Sequence, residues 1–298
     1  MIIRNIKTEF QKILTGYGFY LCVAFTVILC FSAEIYQDET TYDKYSVIRA
    51  LISFDRNFML TDTQFSSLEV MRKGSWGWIQ LFIPIVSAFA FVPLLCDEHE
   101  AKVVRYEVFR SSRLEFHLSE MIAGCVSGGI AVSAGYGIYS ALVFQLFPDI
   151  GEYSSELKEM YRESMSSYMN FSTGYLDATL IKMLGVFLYG LTISAVVIML
   201  TSLIRNKYLV LCIPFFIKYA IGQTCQKLSS QINEKMLAGD KSNQWLSNII
   251  SVIYPDALPQ FNEYGSLKKY VLLYSAAIVV ACLVLYLFFT MRRVDSGE

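Results

Sequence analysis

Six apolar stretches constrain what this chain can fold into: residues 17–33, 78–96, 121–147, 179–203, 208–223 and 270–291. No Asp, Glu, Lys or Arg falls inside the first, second, third or last. A helix rises about 1.5 Å per residue, so roughly 20 apolar residues cover a hydrocarbon layer about 30 Å thick. Backbone N–H and C=O groups find no water there, and a helix satisfies them internally. The pattern predicts an all-α polytopic membrane protein, a bundle of six transmembrane helices in a single transmembrane domain. Charged residues make up 17% of the chain, against about 25% in an ordinary soluble domain, and the deficit matches the apolar runs. A net charge of −1 argues against a nucleic-acid partner, which concentrated positive charge would have to meet.

The first fourteen residues are amphipathic. Ile2, Ile3, Ile6, Phe10, Ile13 and Leu14 recur at helical spacing, with Arg4, Lys7, Glu9, Gln11 and Lys12 largely elsewhere on the wheel. Such a helix lies in the headgroup plane before the first crossing. Basic residues ahead of an apolar run also mark signal peptides, but Cys30-Phe31-Ser32-Ala33 puts Phe where cleavage needs a small residue, so an uncleaved anchor is expected. With the amino terminus cytoplasmic, Arg4, Lys7, Lys12, Lys102, Arg105, Arg110, Arg113, Arg205, Lys207, Arg292 and Arg293 all fall in short inner segments. That distribution follows the positive-inside rule and predicts both termini on the cytoplasmic side of the plasma membrane. Residues 97–120 then form a charged cytoplasmic loop. Residues 34–75, 148–178 and 224–269 lie outside, with local helix expected over 46–60.

Within the crossings, Pro84 and Pro93 predict a kinked second helix. Gly124, Gly128, Ala131 and Gly135 put small residues four apart on the third, a spacing that lets helices approach closely. The apolar piece 245–261, broken by Pro255 and Pro259, reads as a re-entrant or interfacial hairpin before the last helix rather than a seventh crossing.

Chemistry-bearing motifs are few. No G-x-x-x-x-G-K-[S/T], H-E-x-x-H or G-x-S-x-G occurs, so neither a phosphate loop, a zincin site nor a nucleophile elbow is expected. His99 and His117 are the only histidines, and Cys22, Cys30, Cys96, Cys125, Cys212, Cys225 and Cys282 form no C-x-x-C pair. They read as apolar packing residues, with Cys225 in an outer loop, and no metal site is expected. The chain is not expected to be an enzyme. Lys218 stands roughly 15 Å along the fifth run, near mid-membrane. It either lines a substrate path or makes a structural pair or snorkels. Lys182, nearer a helix end, is expected to snorkel.

The loop Asp97-Glu98-His99-Glu100-Ala101-Lys102-Val103-Val104-Arg105, continuing to Phe109-Arg110-Ser111-Ser112-Arg113, places acids before bases. Taken with the amphipathic first helix, six crossings and the broken piece 245–261, the arrangement resembles the permease subunit of ABC-2 type exporters over almost the whole chain. Glu98 or Glu100 matches the family's acid and Ser111-Ser112-Arg113 its small-and-basic cluster. No glycine lies between Asp97 and Arg113, and Glu120 stands where a lysine is frequent. The resemblance implies a homo- or heterodimer of permeases in membrane lipid, energised by a separate ATP-binding subunit that holds ATP and Mg. Glu98, Glu100, Lys102, Arg105, Arg110 and Arg113 would then belong to the ATPase-coupling loop. The cargo would be an amphiphilic peptide, drug or lipid-like molecule, as in antimicrobial peptide or drug resistance. The alternatives are a non-transporting sensor or immunity protein that binds an extracellular ligand, and an ion-coupled carrier, for which neither repeat nor coupling carboxylate is visible.

Overall fold

The computed structural model describes residues 2–38, 42–100, 112–165, 175–204, 206–237 and 244–295. Among them, five helices are long and apolar enough to cross a membrane, or six if one bent pair counts as a single span. That pair is α1 (Ile2–Thr15) and α2 (Tyr17–Phe31), which meet at 60°. Gly16 at the joint has extended backbone, so the helical ladder stops there and restarts. The amphipathic α1 is thereby turned aside from the apolar α2.

An antiparallel hairpin follows, β1 (Glu34–Gln37) with β2 (Lys44–Ser46), pairing Tyr36 with Tyr45 and Gln37 with Lys44. It is the one departure from an all-helical fold among the described residues. Next come α3 (Val47–Ser53), α4 (Arg56–Met59) and α5 (Ser67–Gly74). The Ser46 hydroxyl caps α3, accepting from Arg49 N, and that of Ser66 caps α5, accepting from Glu69 N. Residues 34–38 and 42–76 form a small folded cap around Tyr36, Tyr45, Phe54, Phe58 and Phe65, whose neighbouring rings stand 4.6–6.0 Å apart. The helix expected over 46–60 is present in two pieces, broken at Phe54–Asp55.

Gly77, at φ +74°, makes the turn into α6 (Trp78–Phe89), a conformation glycine adopts without a steric penalty. The second apolar run breaks at Ala90–Phe91 and resumes as α7 (Val92–Glu100). Pro93 sits in the first turn of α7, where its missing N–H removes no helical bond. Pro84 stays inside α6.

The central helix is α8 (Arg113–Leu146), 34 residues long and capped by Ser112, whose hydroxyl accepts from Glu115 N. It starts eight residues before the apolar run does, so 113–120 is helix rather than loop. Helix α9 (Ser155–Met165) and the residues before it join the cap: Arg56 donates to both carboxylate oxygens of Glu152 at 2.8 Å, Tyr153 donates to Met59 O, and Tyr161 of α9 donates to Glu69. Tyr136 and Tyr139 of α8 donate to Met71 O and Val70 O, fastening the cap to the bundle.

Helix α10 (Tyr175–Thr201) packs along α8. A Cβ on Gly190 would stand 3.0 Å from Gly129 Cα and 3.3 Å from Gly128 O. The two backbones therefore nearly touch, as the small-residue spacing of α8 predicts. Helix α11 (Lys207–Leu237) continues unbroken through Pro214 and well past residue 223. Cys225 consequently lies in a helix, packed with Ile232 and Ile250, and not in a loop. Helix α12 (Gln244–Ile253) and a 3-10 segment, Pro255–Leu267, lead into α13 (Lys268–Asp295). The 3-10 segment packs against α10 and α13. Only 22% of the most apolar window is buried in α11 and in the span ending with α13, so these two helices form the periphery.

Candidate functional site

Two sets of paired charges stand out, one buried around the 3-10 segment and one partly exposed at the end of α7. The first pins the 3-10 segment Pro255–Leu267 to its neighbours. Lys218, on α11, lies 2.8 Å from Asp256 and also donates to the backbone oxygen of Gln80 on α6. Tyr189, on α10, donates to the same Asp256 carboxylate at 3.2 Å, and the Lys218 ammonium stands 5.7 Å from its ring centre. Seven residues further on, Glu263 accepts from Lys182 of α10 at 2.7 Å, with Arg72 of α5 at 3.9 Å. The side chains of Lys218 and Lys182 are 7% and 3% exposed. A buried charge without a partner costs several kcal/mol, and these four side chains answer one another.

Lys218 thus makes a pair, one of the two structural readings open at the level of sequence. Lys182 does not snorkel, because an acid 81 positions later in the chain reaches it inside the protein. Neither Asp256 nor Glu263 is evident from motif or spacing. The available signal is physical: a lysine in an apolar run needs an acid, and the only broken apolar piece carries one at Asp256 and another just beyond it.

This network continues into the cap. Arg72 makes two bonds to Glu69, at 2.7 and 3.0 Å, and Tyr161 of α9 donates to Glu69 at 3.5 Å. For Arg72, burial works against the charged form, but the hydrogen bond and charge of Glu69, helped by Glu263, outweigh it and raise the pKa. For Lys73 the balance is reversed. Burial pushes its ammonium below the ordinary range although Glu69 stands 3.8 Å away. Its nitrogen donates to Ile35 O at 2.7 Å and to Gln64 at 3.2 Å.

The second set lies where α1, α7 and α11 meet. Glu98 accepts from Lys12 of α1 at 3.2 Å, while Lys12 also holds the buried Glu9 at 3.0 Å. Next to it, Asp97 pairs with Lys207, the first residue of α11, at 3.2 Å. The end of α7 is therefore tied to two other elements. Close by in sequence, the buried Glu120 accepts from Tyr286 of α13 at 2.6 Å and lies 3.3 Å from His117 Nδ1.

Of the residues expected in a coupling loop, Glu98 and Glu100 are at the end of α7 and Arg113 opens α8. Lys102, Arg105 and Arg110 lie outside the described residues. Lys218 belongs to the other set. The structure does not bring Lys218 and the α7 end together; they are separate sites linked through α11, which carries Lys207 at one and Lys218 at the other.

Among the described residues no group of three or more His, Cys, Asp or Glu side chains is placed to hold a metal ion. Comparison of the chain with protein-family models, with curated proteins and with solved structures finds no match in any of the three.

Proposed function

We propose that this chain is the permease subunit of an ATP-driven exporter of the ABC-2 type, with six crossings, a re-entrant segment before the last and both termini cytoplasmic. The observation that carries this reading is the tethering of the α7 end. Asp97 and Glu98 are bonded to α11 through Lys207 and to α1 through Lys12. A force applied to the stretch after α7 thus reaches an interfacial helix and a bundle helix at once. That is what a transmission element between a separate ATPase and the membrane requires. The 60° turn between α1 and α2 supports the interfacial placement of α1. The 3-10 break at Pro255–Leu267, held inside the bundle by charge, supports the re-entrant reading.

In this mechanism, nucleotide-driven closure of two ATPase subunits acts on the charged stretch that joins α7 to α8 and so displaces the end of α7. The pull reaches α11 through the packing of α7 on it, with the Lys207 pair alongside, and re-packs it against α6 and the 3-10 segment, switching a permease dimer between two packings. ATP and Mg are held by the partner, and the cargo class is an amphiphile.

The test is purification of the tagged chain in mild detergent from its native cells, with recovery of a nucleotide-hydrolysing partner expected. In the recovered complex, Arg110→Glu with Arg113→Glu is expected to leave assembly intact and to uncouple ATP hydrolysis from transport. A chain that works fully with no such partner overturns the proposal and favours the sensor reading.

A further inference from the structure

A cavity of about 430 Å³ opens where the cap meets the first turn of α6, lined by Glu34, Lys73, Trp76, Gly77, Trp78 and Leu81. Its size falls within the range of small-ligand pockets. Two of the chain's three tryptophans form its walls, 41% and 50% exposed. Each is held by a neighbour: the Arg72 guanidinium lies 5.4 Å from the Trp76 ring centre, and Trp78 stacks on Phe82 at 6.2 Å. The positive φ of Gly77 between them sets both indoles at the start of an apolar helix, where a membrane-spanning chain meets the interface.

The charges around the cavity are unequal in availability. Lys73 already donates to Ile35 O and Gln64, and Arg72 is committed to Glu69. Among the described residues Glu34 is the only acid in the lining, and its side chain is 53% exposed and paired on the surface with a similarly exposed Lys44 at 2.8 Å. Such an exposed pair exchanges readily for another cation. An indole face and a carboxylate are the two groups that recognise an alkylammonium ion. Leu81 lies one turn into α6, where it would meet the alkyl chain of a ligand whose head sits at the interface.

We propose that this cavity binds the ammonium head of an amphiphile, with Glu34 and Trp78 as its recognition groups. The same chemistry is offered by a choline-type lipid headgroup and by a free cationic amphiphile. The inference rests on membrane placement of α6 and not on ATP-driven transport.

The probe is dodecyltrimethylammonium, titrated below its micelle concentration into the full chain carrying Trp245→Phe, so that fluorescence reports Trp76 and Trp78 only. The protein is held in nanodiscs of an uncharged glycolipid. A saturable spectral shift is expected, weakened about two- to fivefold by Glu34→Gln and about tenfold by Trp78→Leu, with Trp76 reporting in the latter. Circular dichroism and elution volume check that each variant is folded. Exposed Glu34 makes Glu34→Gln the safer of the two. In phosphatidylcholine nanodiscs, loss of the shift identifies lipid headgroup as the resident ligand, and its persistence identifies a free amphiphile. A shift that never saturates and is matched by dodecyl maltoside, or affinities unchanged in both variants, overturns the proposal. Loss of ATPase association bears on the transport reading alone and leaves this result unaffected.

Discussion

Substituting Lys218 by Met keeps the stem and removes the charge, leaving Asp256 buried with tyrosine hydroxyls alone, those of Tyr189, 3.2 Å away, and Tyr254. Breaking one side of a buried pair typically costs about 3–5 kcal/mol. At roughly 2 °C per kcal/mol for a chain this long, Lys218→Met is expected to melt about 6–10 °C low. Asp256→Asn strands the ammonium instead and is expected to lose a similar amount. Replacing both, Lys218→Met with Asp256→Leu, is expected to restore at least half of the loss. The assay is apparent melting temperature in one detergent at a fixed scan rate, each variant referred to wild type at the same pH. A Lys218→Met protein within 2 °C of wild type, or a double variant no more stable than either single one, would refute the buried pair and return Lys218 to snorkelling.

Other substitutions follow the same geometry. Lys182→Met is expected to cost less than Lys218→Met, since Glu263 keeps Arg72 at 3.9 Å, whereas Glu263→Gln leaves Lys182 stranded and costs the full amount; melting temperatures rank the three. Gly190→Leu drives a side chain into the backbone of Gly128 and Gly129 and is expected to lose about 1–3 kcal/mol or more, whereas Gly137→Ala meets only the flexible end of Met183 and stays within about 1 kcal/mol of wild type by the same measurement. Tyr286→Phe removes the 2.6 Å bond to Glu120 and is expected to cost about 1–3 kcal/mol, with unfolding in sodium dodecyl sulfate as the check.

Hydropathy located the apolar helices because burial in lipid and burial in protein both demand uncharged runs. It misplaced their ends for a corresponding reason. Residues 113–120 and 224–237 are polar enough to read as loop, yet Ser112 caps the first stretch and α11 carries the second without interruption. Helical periodicity over 46–60 was readable because it is local, while the β1–β2 pairing depends on a turn that gives no strong two-residue signal. The charge pairs are the hardest part to read. Lys182 with Glu263 and Lys218 with Asp256 join residues far apart in sequence, and nothing in their immediate neighbours announces the match. Lys218 itself was conspicuous, since one charge in an apolar run demands an explanation. Its partner became visible only once the chain had folded back after Pro255. The tie between α7 and its neighbours is likewise non-local, through Lys12 and Lys207.

The 3-10 segment is held to the bundle by the packing of Ala257, Leu258 and Phe261 and by two buried ion pairs, and the ionic part of that hold has a consequence. Coulomb attraction grows as the surroundings dry and collapses as they wet. A stray water molecule entering beside Tyr189 would weaken the hold on Asp256, and the gap so made would admit more water. Opening at this point would accordingly be abrupt rather than gradual, with moisture acting as both cause and product of the release.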